Sequence, residues 1–149
     1  MNDARAFVRK QTLISVIITM AISAAFFFIN FGGIDRITVF KPNNFVVDFL
    51  PQAAFASFMA ALMPALQTRS AFAHGILPGS ARSVTSIVLR AFAYAALGLG
   101  LGGLAFASLY YSRIELIPWV GALAIKIAFG ALLGFIITPP AVRAVLKQG

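Results

Sequence analysis

The sequence contains no cysteine. Disulfides, thiolate metal sites and cysteine nucleophiles are excluded together, and the redox compartment is left open. Histidine occurs once, at His74, with no second His, Cys or neighbouring carboxylate to build the three or four ligands a metal site needs. Acidic residues are scarce too, four against twelve Lys and Arg. Asp48 and Glu115 stand at helix entrances with no histidine or metal to work with, where acids are usually solvated. The serines have neither a Gly-x-Ser-x-Gly elbow nor a histidine base. No catalytic, cofactor-binding or metal residue is assigned, and the chain is read as not an enzyme. The formal net charge of +8 is no nucleic-acid footprint, because the basic residues are scattered at helix ends and form no stripe with interleaved aromatics.

Charge is also missing from long runs. None falls in residues 11–34, 49–68 or 91–112, and between Leu116 and Arg143 the only one is Lys126. Each stretch reaches the roughly 20 residues an α-helix needs to cross about 30 Å of hydrocarbon. At 60% hydrophobic residues, 11% charged and a mean hydropathy of +0.92, a soluble domain of 149 residues could not hide its apolar surface. The sequence therefore predicts an all-α polytopic membrane protein, a single domain of four transmembrane helices, with loops too short to fold alone.

The first helix is expected at about residues 12–31. It follows a basic segment as a signal peptide would, but it is too long for an h-region and no small-x-small site follows, so it is read as retained. The second runs over about 45–66, with Pro51 in its first turns and Pro64 kinking or ending it. The third covers about 84–111; the fourth opens with Pro118 at N1 and closes at Pro139 and Pro140. Arg5, Arg9, Lys10, Arg69, Arg82, Arg143 and Lys147 fall on one side of these spans. Arg36, Lys41 and Arg113 fall on the other, beside Asp35, Asp48 and Glu115. Seven against three places both termini in the cytoplasm of a bacterial inner membrane. Tyr110, Tyr111 and Trp119 collect at the opposite, outer interface, where amphipathic rings settle.

The two halves share an outline. Each is a helix, an outer loop and a second helix that starts near Leu50–Pro51 or Ile117–Pro118 and ends in a proline followed by Arg69 or Arg143. Phe58–Met59–Ala60–Ala61–Leu62 and Phe129–Gly130–Ala131–Leu132–Leu133 match in part. A tandem two-helix repeat, about 7–69 and 82–147, would place both copies in one orientation. Asp48–Phe49–Leu50 leading into an Ala-rich helix that finishes Pro64-x-x-x-x-Arg69 resembles a family of small bacterial two-helix membrane proteins of unknown function. The resemblance covers the first half, supports the duplication and implies no activity.

Lys126 is the leading candidate site. It shares a strip spaced by fours with Ala122, Gly130 and Gly134, so it should face a neighbouring helix. From Pro118 it lies about 12 Å deep, where a lysine costs roughly 2.5–3.5 kcal/mol on insertion scales. Ser23 and Ser57 fall at similar depth, and Asp48 or Gln52 is within reach if the side chain snorkels outward. Two accounts stand: a cation that binds or gates an anion, a proton or a lipid headgroup, and a structural lysine that snorkels or bonds carbonyls, the latter favoured. Helix three carries a small-residue seam through Ala91, Ala95, Gly98, Gly102 and Ala105, a packing surface whose partner is in the same chain or another. Gly98–Leu99–Gly100–Leu101–Gly102 follows no strand and is no nucleotide loop. Arg69, Arg82, Arg90 and Arg143 are candidates for an anionic-lipid patch on the inner side. The expected partners are membrane lipids and either further copies or a larger membrane complex. The favoured reading is a membrane accessory or assembly protein packing through its small-residue seams; the alternative is a small oligomeric transporter or channel using Lys126.

Overall fold

A computed structural model describes residues 2–77, 80 and 83–147. The elements in chain order are α1 (Asn2–Phe31), β1 (Arg36–Thr38), α2 (Phe49–Ala73), α3 (Val84–Tyr111), β2 (Leu116–Pro118) and α4 (Trp119–Leu146). All four helices are long and apolar enough to cross a membrane. Even α2, the shortest at 25 residues, rises about 38 Å at 1.5 Å per residue.

The polarity of the bundle is that of a protein solvated by hydrocarbon. Leu13, Ile17, Leu89, Phe92, Leu104 and Phe135 are exposed, while Thr19, Ser23, Gln52, Ser57, Thr68, Lys126 and Thr138 have no accessible surface. Large apolar side chains can stay outside where the solvent is lipid, and polar ones must then find partners inside.

Helix α1 packs along α4, α3 packs along α2, and α2 meets α4 at the centre. Close approach explains the glycines. A Cβ at Gly98 would run into Ser57 Oγ and lie 2.6 Å from Ala53 O; one at Gly102 would lie 2.8 Å from Ala53 Cβ. Across the bundle, a Cβ at Gly130 would run into Ser23 Oγ and lie 2.6 Å from Thr19 O, and one at Gly134 would lie 2.6 Å from Thr19 Oγ1. Both glycine pairs are thus occupied within the chain, α3 against α2 and α4 against α1.

The helix ends depart from the sequence expectation in four places. Helix α1 begins at Asn2 and not Thr12, because the basic leading segment is made of good helix formers and its Val8 and Gln11 are buried. Pro64 does not end α2, which continues to Ala73. A proline there deprives Ala60 O of its intrahelical partner; Thr138 Oγ1 of α4 donates to that carbonyl at 3.0 Å and lies 2.7 Å from Ser15 Oγ of α1. Pro139 and Pro140 likewise sit inside α4, which runs on to Leu146. Helix α2 begins at Phe49 and not Phe45, since Phe45 and Val46 turn inward and bond back to Thr38 O and Val39 O at 3.4 and 3.1 Å.

The loops that precede α2 and α4 join, which the sequence reading did not anticipate. β1 and β2 pair antiparallel with Ile37 opposite Ile117, and Val39 N donates to Glu115 O at 3.0 Å. Pro118 caps α4 from the end of β2, whereas Pro51 lies within α2, so these two prolines are not equivalent. Beneath the strands Phe27, Phe31, Phe45, Phe49 and Trp119 form an aromatic layer. Trp119 Nε1 donates to Phe31 O at 3.1 Å, tying α4 to the end of α1.

Candidate functional site

Helical side chains lean toward the N-terminus of their own helix. For Lys126 on α4 that direction is the strand end, where Asp48 caps α2. Lys126 Nζ lies 2.5 Å from Asp48 Oδ2, with the lysine side chain fully buried and the aspartate side chain 10% exposed. The other carboxylate oxygen accepts from Asn30 Nδ2 at 2.6 Å, so α1, α2 and α4 meet at one acid. The ammonium also stands 4.1 Å from the Phe49 ring centroid and 5.3 Å from that of Phe45, within cation–π range. Gln52, one turn into α2, donates to Ser23 Oγ at 2.7 Å and lies 3.4 Å from the Lys126 carbonyl oxygen. Among the described residues, Gln52 Oε1 and Ser57 Oγ are buried without a hydrogen-bond partner.

Of the expected constellation, Lys126 does point into the bundle. Its ammonium partner is Asp48, which the sequence placed within reach of an outward-leaning lysine while also reading it as a boundary acid. Ser23 joins through Gln52 and the Lys126 main chain and does not touch the ammonium. Ser57 is elsewhere, against Gly98 on α3. Chemically the pair is neutral overall and closed: an incoming anion would have to displace Asp48 from an ammonium with no accessible surface. Thr138, buried in its network with Ser15 and Ala60, was not singled out from sequence. Its signal was there, as the fourth member of the strip Lys126, Gly130, Gly134, Thr138 spaced by fours.

Of the four arginines expected to form one lipid patch, Arg90 and Arg143 share a cleft and Arg69 does not line it. Arg143 lines a groove between α1 and α4, and it shares a second, smaller cleft with Arg90 and Pro140. Arg69 is half-buried on α2 and lines neither, and Arg82 lies outside the described residues.

Helix α3 has a second small-residue stripe. Ala93, Ala96, Gly100, Gly103 and Ala107 recur at steps of three and four, on the side opposite Gly98 and Gly102, and all are exposed or half-exposed. A Cβ at Gly100 or Gly103 would meet nothing within 4 Å. Comparison with protein families, curated proteins and solved structures returns no match to this chain, so its resemblance to two-helix membrane proteins stands on the residues alone.

Proposed function

We propose that the protein is an integral membrane accessory or assembly protein that docks on a membrane partner, a second copy or a larger complex, through the outward face of α3. The supporting observation is the free stripe of Ala96, Gly100, Gly103 and Ala107. In lipid, helices associate where small residues let backbones approach, and leucine-rich surfaces gain nothing by pairing. The inward stripe already holds α3 on α2, so α3 is small-residue on two opposite faces and only one has a neighbour. This moves the docking surface away from Gly98, Gly102, Gly130 and Gly134. The bundle sits in a bacterial inner membrane with both termini cytoplasmic, which the seven-to-three division of basic residues supports. The pairing of α1 with α4 and of α3 with α2, each through a serine set against a glycine, supports the tandem two-helix repeat.

The experiment is extraction of the full chain from its membrane in mild detergent, wild type beside Gly100→Leu and Gly102→Leu. Gly100→Leu should leave the helical bundle intact and remove the higher-mass species. Gly102→Leu should destabilise the bundle itself. A Gly100→Leu variant with unchanged assembly would overturn the proposal.

A second reading, a small oligomeric transporter or channel, draws support from the unpartnered Gln52 Oε1 and Ser57 Oγ in the intramembrane core. It requires the Lys126–Asp48 pair to open. A closed homo-oligomer of more than two copies, able to enclose a path, favours this reading, and a heteromeric complex or a simple pair the accessory one.

A further inference from the structure

At the end of the bundle that carries both termini, a groove of about 710 Å³ lies between α1 and α4. Its walls change character along their length. On α4 the lining residues Lys147, Arg143, Pro139 and Phe135 descend by steps of four, from two cations at the mouth to a ring and an aromatic below. On α1, running the opposite way, Arg5 and Arg9 stand at the mouth and Leu13 and Val16 below. Because the helices are antiparallel, Arg5 faces the level of Lys147 and Arg9 that of Arg143, so two rungs of positive charge cap one apolar slot. Among the described residues no carboxylate lines it. Leu13 and Phe135 are exposed on two helices apolar enough to cross a membrane, so the lower part of the slot has an open apolar side suited to an acyl chain.

We infer that this groove is a binding site for an anionic phospholipid, its phosphate held by Arg9 and Arg143 and one acyl chain lying along Leu13, Val16 and Phe135. The polarity gradient argues for this occupant. A free phosphate would use the basic mouth but leave the slot empty, and a neutral lipid would fill the slot without needing four cations. Arginine forks fit phosphate oxygens bidentately, and clustered basic residues at a bilayer surface attract anionic headgroups. The size falls within the ordinary range of ligand sites. The site shares no residue with the outward stripe of α3, so it stands or falls independently of the docking proposal.

The test is native mass spectrometry of the purified chain released from detergent, with phosphatidylglycerol and phosphatidylcholine of the same acyl chains added in equal amounts. Wild type should retain phosphatidylglycerol roughly thirtyfold over phosphatidylcholine, given two basic contacts of about 1 kcal/mol each. Arg9→Gln/Arg143→Gln should bring the ratio near one with helical content unchanged by circular dichroism. Arg36→Gln/Arg113→Gln, at the other end of the bundle, should keep the wild-type preference. Excess inorganic phosphate should not displace the lipid. Equal retention of both lipids by wild type, an undiminished preference in the Arg9→Gln/Arg143→Gln variant, or displacement by phosphate alone would overturn the assignment. Should that variant lose its helical content, a phosphatidylglycerol with a photoreactive acyl chain decides on wild type: label at the α1–α4 slot supports the site, and label only elsewhere refutes it.

Discussion

Removing either end of the Lys126–Asp48 pair should have unequal consequences, and the inequality follows from burial. Asp48→Asn keeps the shape of the side chain but leaves an ammonium with no accessible surface and no counter-charge. Stranding one partner of a buried pair costs about 3–5 kcal/mol; the asparagine carbonyl still accepts a hydrogen bond, so the lower end applies, about 3 kcal/mol. Lys126→Met strands a carboxylate that is 10% exposed and keeps Asn30 at 2.6 Å. It also removes a cation whose burial in a membrane costs roughly 2.5–3.5 kcal/mol, which offsets most of the lost attraction and leaves a net cost of about 1 kcal/mol. The double variant has no buried charge to strand and should lie within about 1 kcal/mol of wild type, some 3 kcal/mol better than the sum of the single changes. Unfolding in detergent can be followed by the emission of Trp119, the only tryptophan, which packs on Phe27 at 5.2 Å. Single costs that simply add, or equal costs for Asp48→Asn and Lys126→Met, would refute the reasoning.

Gly130→Leu should destabilise the bundle by at least the roughly 1–3 kcal/mol of an overpacked core, because Ser23 and the Thr19 carbonyl leave no room for it; retained stability in the same detergent assay would show that α1 and α4 do not meet there. Thr138→Val strips the Ala60 carbonyl of its donor beside Pro64 and should cost about 1–3 kcal/mol, whereas Ser108→Ala, on an exposed bond to its own helix, should cost far less. Single cysteines at Asn43 and Ser80 in this cysteine-free chain should label from opposite sides of the membrane with an impermeant thiol reagent, and labelling of both from one side contradicts the four-span topology.

The spans were legible because hydrocarbon imposes one rule on every residue of a crossing helix. Helix α3 was expected at 84–111 and is observed at Val84–Tyr111. What escaped was which segment each contact would meet. Pro64 reads as a break in isolation and becomes harmless only when Thr138 arrives from α4. The strands were illegible for their brevity: three residues alternating around Ile37 or Ile117 give too little period to register. At the site, the spacing of Lys126, Gly130 and Gly134 pointed the lysine inward and helix depth put Asp48 within its reach, but Asp48 could be chosen over Gln52 only once its loop is known to fold over α4. The outward stripe of α3 was hidden behind the more obvious Gly98-x-x-x-Gly102, since Gly100 and Gly103 interleave with it in sequence and separate only on the helix surface.

The most direct test of the docking proposal is site-specific photo-crosslinking in the native membrane. A photoreactive residue at Ala96 or Gly103 on α3 should yield protein adducts, while one at Ile17, 67% exposed on α1, should yield lipid adducts only. Absence of protein adducts from α3, or equal yields from both helices, would contradict the claim that α3 presents the assembly face.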